Sequence, residues 1–232
     1  MRQLLPTPDP SPDLDRLYAQ PPGVRLGMVA SVDGATVVDG GSAALSGPAD
    51  RQAFTALRRA CDVVLVGAGT ARAERYRPVR LSEQVQAARR ERGQAPLPRV
   101  AVVSRGRGLD PGSPLLAPGG DVLLLLPASA PAPPGVEVAT VGDDDVDLAL
   151  VLAALAARGL TRVLCEGGPA LGGALLQAGL VDEVCATTSP LLVGGDGPRL
   201  VTSSTAQVRP LELAHLLEQD GVLLARWRLA RA

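Results

Sequence analysis

The chain has 232 residues, 46% of them hydrophobic, which is enough for one large domain or two small ones. A net charge of −1 and a pI near 5.9 exclude a broad footprint on a phosphate backbone, so no nucleic-acid partner is expected. No stretch is apolar and long enough to span a bilayer, so no membrane partner is expected either.

Residues 1–22 are rich in proline and acid, which predicts a surface arm with one short helical turn at Leu14–Tyr18. The arm has no apolar core of a signal peptide, so a reduced, cytoplasmic protein is expected. Residues 23–232 are read as a single domain, with no internal repeat. Val24–Ala30 reads as a first strand, ending in the turn signal Ser31-Val32-Asp33-Gly34. Ala35–Gly47 is small and Gly-rich and predicts a mobile loop. Pro48-Ala49-Asp50 opens a helix through Arg59, with Phe54 and Leu57 facing inward.

Asp62–Val66 is a buried strand that runs into Gly67-Ala68-Gly69-Thr70 and a short helix to about Arg75. An Arg- and Gln-rich excursion follows, helical around Ser82–Glu91. Arg99–Val103 is the next strand, closed by Ser104-Arg105. Asp121–Leu126 is another, and a short one is expected at Val136–Val138. Asp143-Asp144-Asp145 precedes an Ala/Leu helix predicted over Val146–Ala157, where acids in the first turn offset the helix dipole and act as a cap.

Thr161–Cys165 forms a strand that ends in Glu166-Gly167-Gly168-Pro169, and a helix follows to near Gly179. Proline suits the first helical position, and the free N–H groups of a helix start attract anions. Asp182–Thr187 is a strand, and Pro190–Pro198 is a Gly-rich loop. Leu211–Leu217 and Val222–Leu229 flank Asp220-Gly221, a hairpin signal. Strands alternating with helices, then a hairpin, predict an α/β fold: a mostly parallel central sheet, helices on both faces and a C-terminal antiparallel hairpin.

Cys61, Cys165 and Cys185 are widely spaced and each lies in or beside an apolar run, so buried reduced thiols are expected. His215 is the sole histidine; it cannot form a His-rich metal site, and a strand-surface position is expected for it. No metal is expected. The two strand–Gly turn–helix units suggest a phosphate-bearing ligand at the carboxyl ends of strands. Neither turn is a GxGxxG fingerprint or a Walker loop. Taken alone, either turn is equally a packed turn of any α/β protein. Ser104-Arg105 suits a 2′-phosphate by its donors and is equally an exposed turn. Asp33 and Glu166, each just past an apolar strand, are candidate acids. Asp33 is also simple Asp-Gly turn chemistry, and Glu166 also an acid held by helix-start N–H groups.

Four ordered motifs carry a resemblance: Met28-Val29-Ala30-Ser31-Val32-Asp33-Gly34, Leu57-Arg58-Arg59-Ala60-Cys61-Asp62, Val66-Gly67-Ala68-Gly69-Thr70 and Glu166-Gly167-Gly168-Pro169-Ala170-Leu171. Together they resemble the reductase domain of the bacterial riboflavin-biosynthesis deaminase-reductase, from about Val24 to the C-terminus. The resemblance implies a dihydrofolate-reductase-like fold and an NADPH-dependent reductase of a phosphoribosylamino-pyrimidine, converting ribose to a ribityl chain.

It places the cofactor against Ala30, Ala44, Gly69, Thr70, Glu74, Ser104 and Arg105, and against the turn of Gly167, Gly168, Pro169, Ala170, Leu171, Gly172, Gly173 and Ala174. It places the small-molecule substrate against Ser42, Arg58, Pro78, Arg80 and Glu166, with Asp33 and Glu166 as catalytic acids. It also implies a homodimer through the C-terminal strands. No HxE or PCxxC motif of the family's zinc deaminase half occurs in the sequence, so activity of the reductase half alone is expected. Its usual D-D-P-x-L-T-x-R run is here Glu74-Arg75-Tyr76-Arg77-Pro78-Val79-Arg80. Its aromatic and threonine past the Ser42-like position are Ala44 and Ser46. The departures fall among the substrate residues, so a dihydrofolate-type reductase and a cofactor-binding protein without turnover are the competing readings.

Overall fold

Apolar runs too short for helices become parallel strands in this protein. The coordinates, a computed structural model, describe residues 1–106, 112–116 and 121–230. The described chain divides into two units, residues 1–60 with 169–232 and residues 61–168.

The second unit holds β3 (Val63–Gly67), β4 (Arg99–Val103), β5 (Val122–Leu126), β6 (Glu137–Thr140) and β7 (Arg162–Cys165). They pair in the order β7-β3-β4-β5-β6, every pair parallel. The four valine and leucine residues of 63–66 and all of β5 are buried, as expected where both faces of a strand are covered. The same unit carries α3 (Ala68–Ala73), α4 (Glu83–Glu91), a 3₁₀ turn at Pro114–Leu116 and α5 (Leu148–Ala156). The cap of α5 is Asp147, whose carboxylate accepts from the N–H groups of Ala149 and Leu150. The Asp143–Asp145 run lies outside the helix: two residues intervene, and Asp145 is drawn off by Arg105 at 2.6 Å.

Asp62, at the foot of β3, accepts from the backbone and guanidinium of Arg162 and from Gln94. Burial pushes the Asp62 carboxyl up, but the Arg162 N–H, Gln94 and the Arg162 guanidinium outweigh it and lower it on balance. This one carboxylate joins the starts of β3 and β7.

The first unit holds β1 (Arg2–Leu5), α1 (Leu14–Leu17), β2 (Gly23–Ser31), α2 (Pro48–Ala60), α6 (Pro169–Gln177), β8 (Glu183–Ser189), β9 (Leu211–Gln219) and β10 (Val222–Leu229). Its strands run β1-β9-β10-β8-β2, antiparallel except for the β8–β2 pair. The expected hairpin is present, with Asp220 and Gly221 both at positive φ as such a turn demands. In α2, Ala49, Ala53, Ala56 and Leu57 form the buried stripe. The expected turn at Leu14–Tyr18 is α1, and the arm also pairs through β1 with β9.

A charge network fixes the foot of this sheet. Arg25 on β2 and Arg226 on β10 both bind Glu183 on β8, at 2.5 Å each. Arg25 is fully buried; its Nη1 donates to the Tyr18 carbonyl, and Nη2, besides Glu183, to that of Ala19. Burial raises the Glu183 carboxyl, but Arg226 and Arg25 overcome it and hold it low. His215 corrects the surface expectation: it is 2% exposed and meets Tyr18 edge-on, ring centroids 5.0 Å apart. Its strand face is covered by the N-terminal residues, whose packing no periodicity in 211–217 announces. Burial first, then Arg226 and Arg25, drop the imidazole to about 4.

Two outcomes follow from these groups. Glu183→Gln leaves two guanidiniums without their anion and should cost about 3–5 kcal/mol, read from denaturant unfolding. His215 is neutral when folded and protonates readily when unfolded. Its contribution to stability is whole above the ordinary imidazole value and is lost as pH falls from about 6.5 towards 4. His215→Leu should flatten the fall of the melting temperature across that window; an unchanged slope refutes the assignment.

Candidate active site

The residues that carry the Gly-rich turns are brought together in the second unit. Strand β7 delivers Glu166 at its carboxyl end, 7% exposed. The phenol of Tyr76 donates to Glu166 Oε2 at 2.5 Å. Tyr76 stands in the segment that departs from the resembled pattern, and the sequence reading passed over it. The signal available was its rarity, since the chain holds only two tyrosines.

Gly167 lies on the backbone of β3: a Cβ there would stand 2.5 Å from Val66 Cα and 2.7 Å from Gly67 N. Gly168 has φ +66°, and a Cβ on it would sit 2.5 Å from Thr70 Oγ1. Both positions therefore require glycine, and they bring Thr70 of α3 against the turn. Glu74 caps the same helix, its N–H donating to the Thr70 carbonyl. Gly69 is exposed at the helix start.

Ser104 and Arg105 end β4, beside β3. Ser104 is 4% exposed, and its hydroxyl accepts from Gly106 N. Arg105 is exposed and gives Nε to Asp145. Pro78 and Arg80 are both exposed. The thiol of Cys165 is pushed up to about 12, foremost by burial, so it supplies no thiolate at neutral pH.

In the first unit, Ala30 is buried near the end of β2, and Asp33 follows in the turn. The Asp33 carboxylate is fully engaged. Ser31 Oγ donates at 2.6 Å, Val193 N at 3.1 Å and Gly194 N at 2.7 Å. Those bonds, Ser31 first and then Gly194 and Val193, hold the carboxyl at about 2. Asp33 is therefore the clasp of the Pro190–Pro198 loop, reinforced where Val32 N donates to the Leu191 carbonyl and Thr36 to that of Pro198. The sequence shows both the Asp-Gly turn and the Gly-rich loop, but nothing in it links residues about 160 apart in the chain.

Ser42 opens a turn whose carbonyl accepts from Leu45 and Ser46. Ala44 is exposed, and Ser46, at the departing threonine position, donates to Asp50 in the first turn of α2. Arg58 is half-buried in the last turn of α2. Pro169, Ala170, Leu171 and Ala174 lie on α6, while Gly172 and Gly173 face the 200–202 segment. A Cβ on Gly173 would strike the Thr202 carbonyl, so that glycine has a packing reason. Among the described residues, no group of three or more His, Cys, Asp or Glu side chains is placed to hold a metal ion, and no helix is long and apolar enough to cross a membrane.

Relatives bear on this geometry. The chain is 35% identical over 185 residues to a 2,5-diamino-6-ribosylamino-4(3H)-pyrimidinone 5′-phosphate reductase of Methanothermobacter thermautotrophicus, covering 77% of this chain and 82% of that protein. It is 28% identical to riboflavin biosynthesis protein RibD of Escherichia coli, covering 82% of this chain and 54% of RibD. Among solved structures, a pyrimidine reductase-like protein of Corynebacterium diphtheriae superposes with a TM-score of 0.83 at 26% identity, over 91% of this chain and 93% of that one. The profile of the RibD C-terminal domain matches residues 22–224, and the chain therefore belongs to that family.

Proposed function

We propose that this chain is an NADPH-dependent reductase of riboflavin synthesis, converting the ribose of a phosphoribosylamino-pyrimidine 5′-phosphate to a ribityl chain. The observation that carries the reading is an oriented acid beside a glycine turn. Glu166 is held by Tyr76 at the end of β7, and the next two residues are glycines pinned against β3 and Thr70. Family membership and the relatives' printed activity support the same reaction class.

The residues fit such a cofactor. The approach of Gly168 to Thr70 is a cradle that a Cβ would fill. Backbone N–H groups of such a turn suit a diphosphate. We assign the cofactor to Ala30, Ala44, Gly69, Thr70, Glu74, Ser104, Arg105 and 167–174, and the substrate to Ser42, Arg58, Pro78, Arg80 and Glu166. When bound, the cofactor supplies the hydride, and the protein's part is to orient the reactants and exclude water. Arg105 gives Nε to Asp145, so a 2′-phosphate would be gripped by its remaining N–H groups and by Ser104.

The two acids have different work in this proposal. Glu166 faces the substrate and accepts or returns a proton there. Asp33 stays ionised far below neutral pH and serves by positioning the 190–198 loop. The working form is proposed to be a cytoplasmic homodimer, supported by the exposed Leu211, Leu213 and Leu223 of β9 and β10.

Calorimetric titration should give a tighter constant for NADPH than for NADH. Oxidation of NADPH should be seen with the ribosylaminopyrimidine phosphate and not with dihydrofolate. Failure of NADPH to bind removes the cofactor assignment; turnover of dihydrofolate alone removes the substrate assignment.

Glu166→Gln should lower kcat by roughly 10²–10⁴-fold while leaving the NADPH constant unchanged. Asp33→Asn should lower kcat/KM by roughly 10- to 100-fold without shifting the acidic limb of the pH–rate profile. If that limb disappears in Asp33→Asn, Asp33 is a proton donor and the division of roles is wrong.

A further inference from the structure

The second unit has a cleft that the proposed reaction does not use. It has a volume of about 350 Å³, within the range of small-molecule sites. Its floor is apolar: Ala68 and Ala71 on one face of α3, Val102 of β4, and Leu115 of the 3₁₀ turn. Thr70, the helix residue at the glycine turn, is not among the lining residues. The rim is cationic, with Arg72, Arg75 and Arg77, and among the described residues no acid lines the cleft.

Arg72, Arg75, Arg77, Arg80 and Arg90 of this unit have no side-chain partner among the described residues, and the first three of them line the cleft. Arg99, Arg105, Arg158 and Arg162 all hold carboxylates, and Arg89 is spent on carbonyls. The guanidiniums of Arg72, Arg75 and Arg77 have no hydrogen bond or ion pair among the described residues.

Arg75 is, besides, in an unfavourable backbone conformation. It follows α3 at φ +47°, where Tyr76 N bonds the Ala71 carbonyl and Arg75 N that of Arg72. That helix-ending motif places its left-handed residue where glycine is free of strain and a side chain is not. A merely solvated arginine needs no such position. Its guanidinium is instead delivered to the cleft that Arg72 and Arg77 also face.

We propose that this cleft binds a phosphorylated planar heterocycle, the ring on the apolar floor and the phosphate on the three arginines. Guanidinium forks match phosphate oxygens in geometry and charge. The ligand proposed is a nucleotide monophosphate separate from the reductase's cofactor, since none of the residues assigned to that cofactor lines the cleft. The proposal stands apart from the reductase reading and survives its failure.

The test is calorimetric titration of the full chain with adenosine 5′-monophosphate, alone and with saturating NADPH, with adenosine and inorganic phosphate as controls. The monophosphate should bind more tightly than either control. Arg72→Ala and Arg77→Ala should each weaken it at least tenfold. Arg75→Gly should weaken it while raising the melting temperature by about 2–4 °C, because strain is relieved as a ligand group is lost. Arginine-dependent binding that persists under saturating NADPH is the expected result; arginine-dependent binding displaced by NADPH assigns the cleft to the cofactor and overturns the proposal. No binding at millimolar concentration, or binding indifferent to all three substitutions, overturns the proposal.

Discussion

The approach of Gly167 to strand β3 is the constraint on which the candidate site depends. With Val66 Cα 2.5 Å from where a Cβ would stand, the chain can leave β7 along that path only without a side chain. That path sets where Glu166 ends β7, and Glu166 in turn receives Tyr76 from the segment beyond α3. Gly168 then rests on Thr70 of the same α3. One close backbone contact thus fixes an acid, its phenolic partner and a hydroxyl of the neighbouring turn. The pinned turn and the phosphate-loop reading are compatible, because packing uses the missing Cβ while an anion would use the N–H groups.

Each unit ties its strands together by a carboxylate at the foot of the sheet. Asp62 joins β3 to β7 by backbone N–H and guanidinium bonds, and Glu183 joins β2, β8 and β10 through two arginines. Burial opposes the charge of both carboxylates, yet both are held below their ordinary range. Charge at these points is tolerated because every ion has a partner on a different strand, which also fixes which strands are neighbours. The opposite, carboxyl ends of β2 and β7 are thereby left to Asp33 and Glu166.

Patterns that depend on local chemistry were legible in the sequence. The apolar runs of β3, β4 and β5, the Asp220-Gly221 hairpin and the three buried thiols all follow from nearest-neighbour preferences. The misread features share a different cause. Asp147, not the Asp143–Asp145 run, caps the helix, and Asp145 instead pairs with Arg105, forty residues earlier. His215 is buried because Tyr18, near the other end of the chain, covers it. Asp33 has both the turn role its sequence suggests and a loop-clasping role that only the long-range bonds to Val193 and Gly194 reveal. Side-chain partners distant in sequence leave no periodic trace, so local reading finds the donor or acceptor and misses its use.

The segment 74–80 concentrates this problem and also its resolution. Against the resembled pattern it looks like a loss: the first acid is kept as Glu74, but the second acid and the threonine give way in a run of arginines, tyrosine, proline and valine. In the fold, two of the replacements do opposite things. Tyr76 turns towards Glu166, so it joins the acid that the proposed reaction needs. Arg75, one residue earlier, holds a left-handed conformation and faces the cleft on another side of α3. The reversal between them is the helix-ending turn itself, which sends successive side chains to different surroundings. A replacement in this stretch therefore cannot be scored as gain or loss for one site, because adjacent residues serve different neighbourhoods of the same unit.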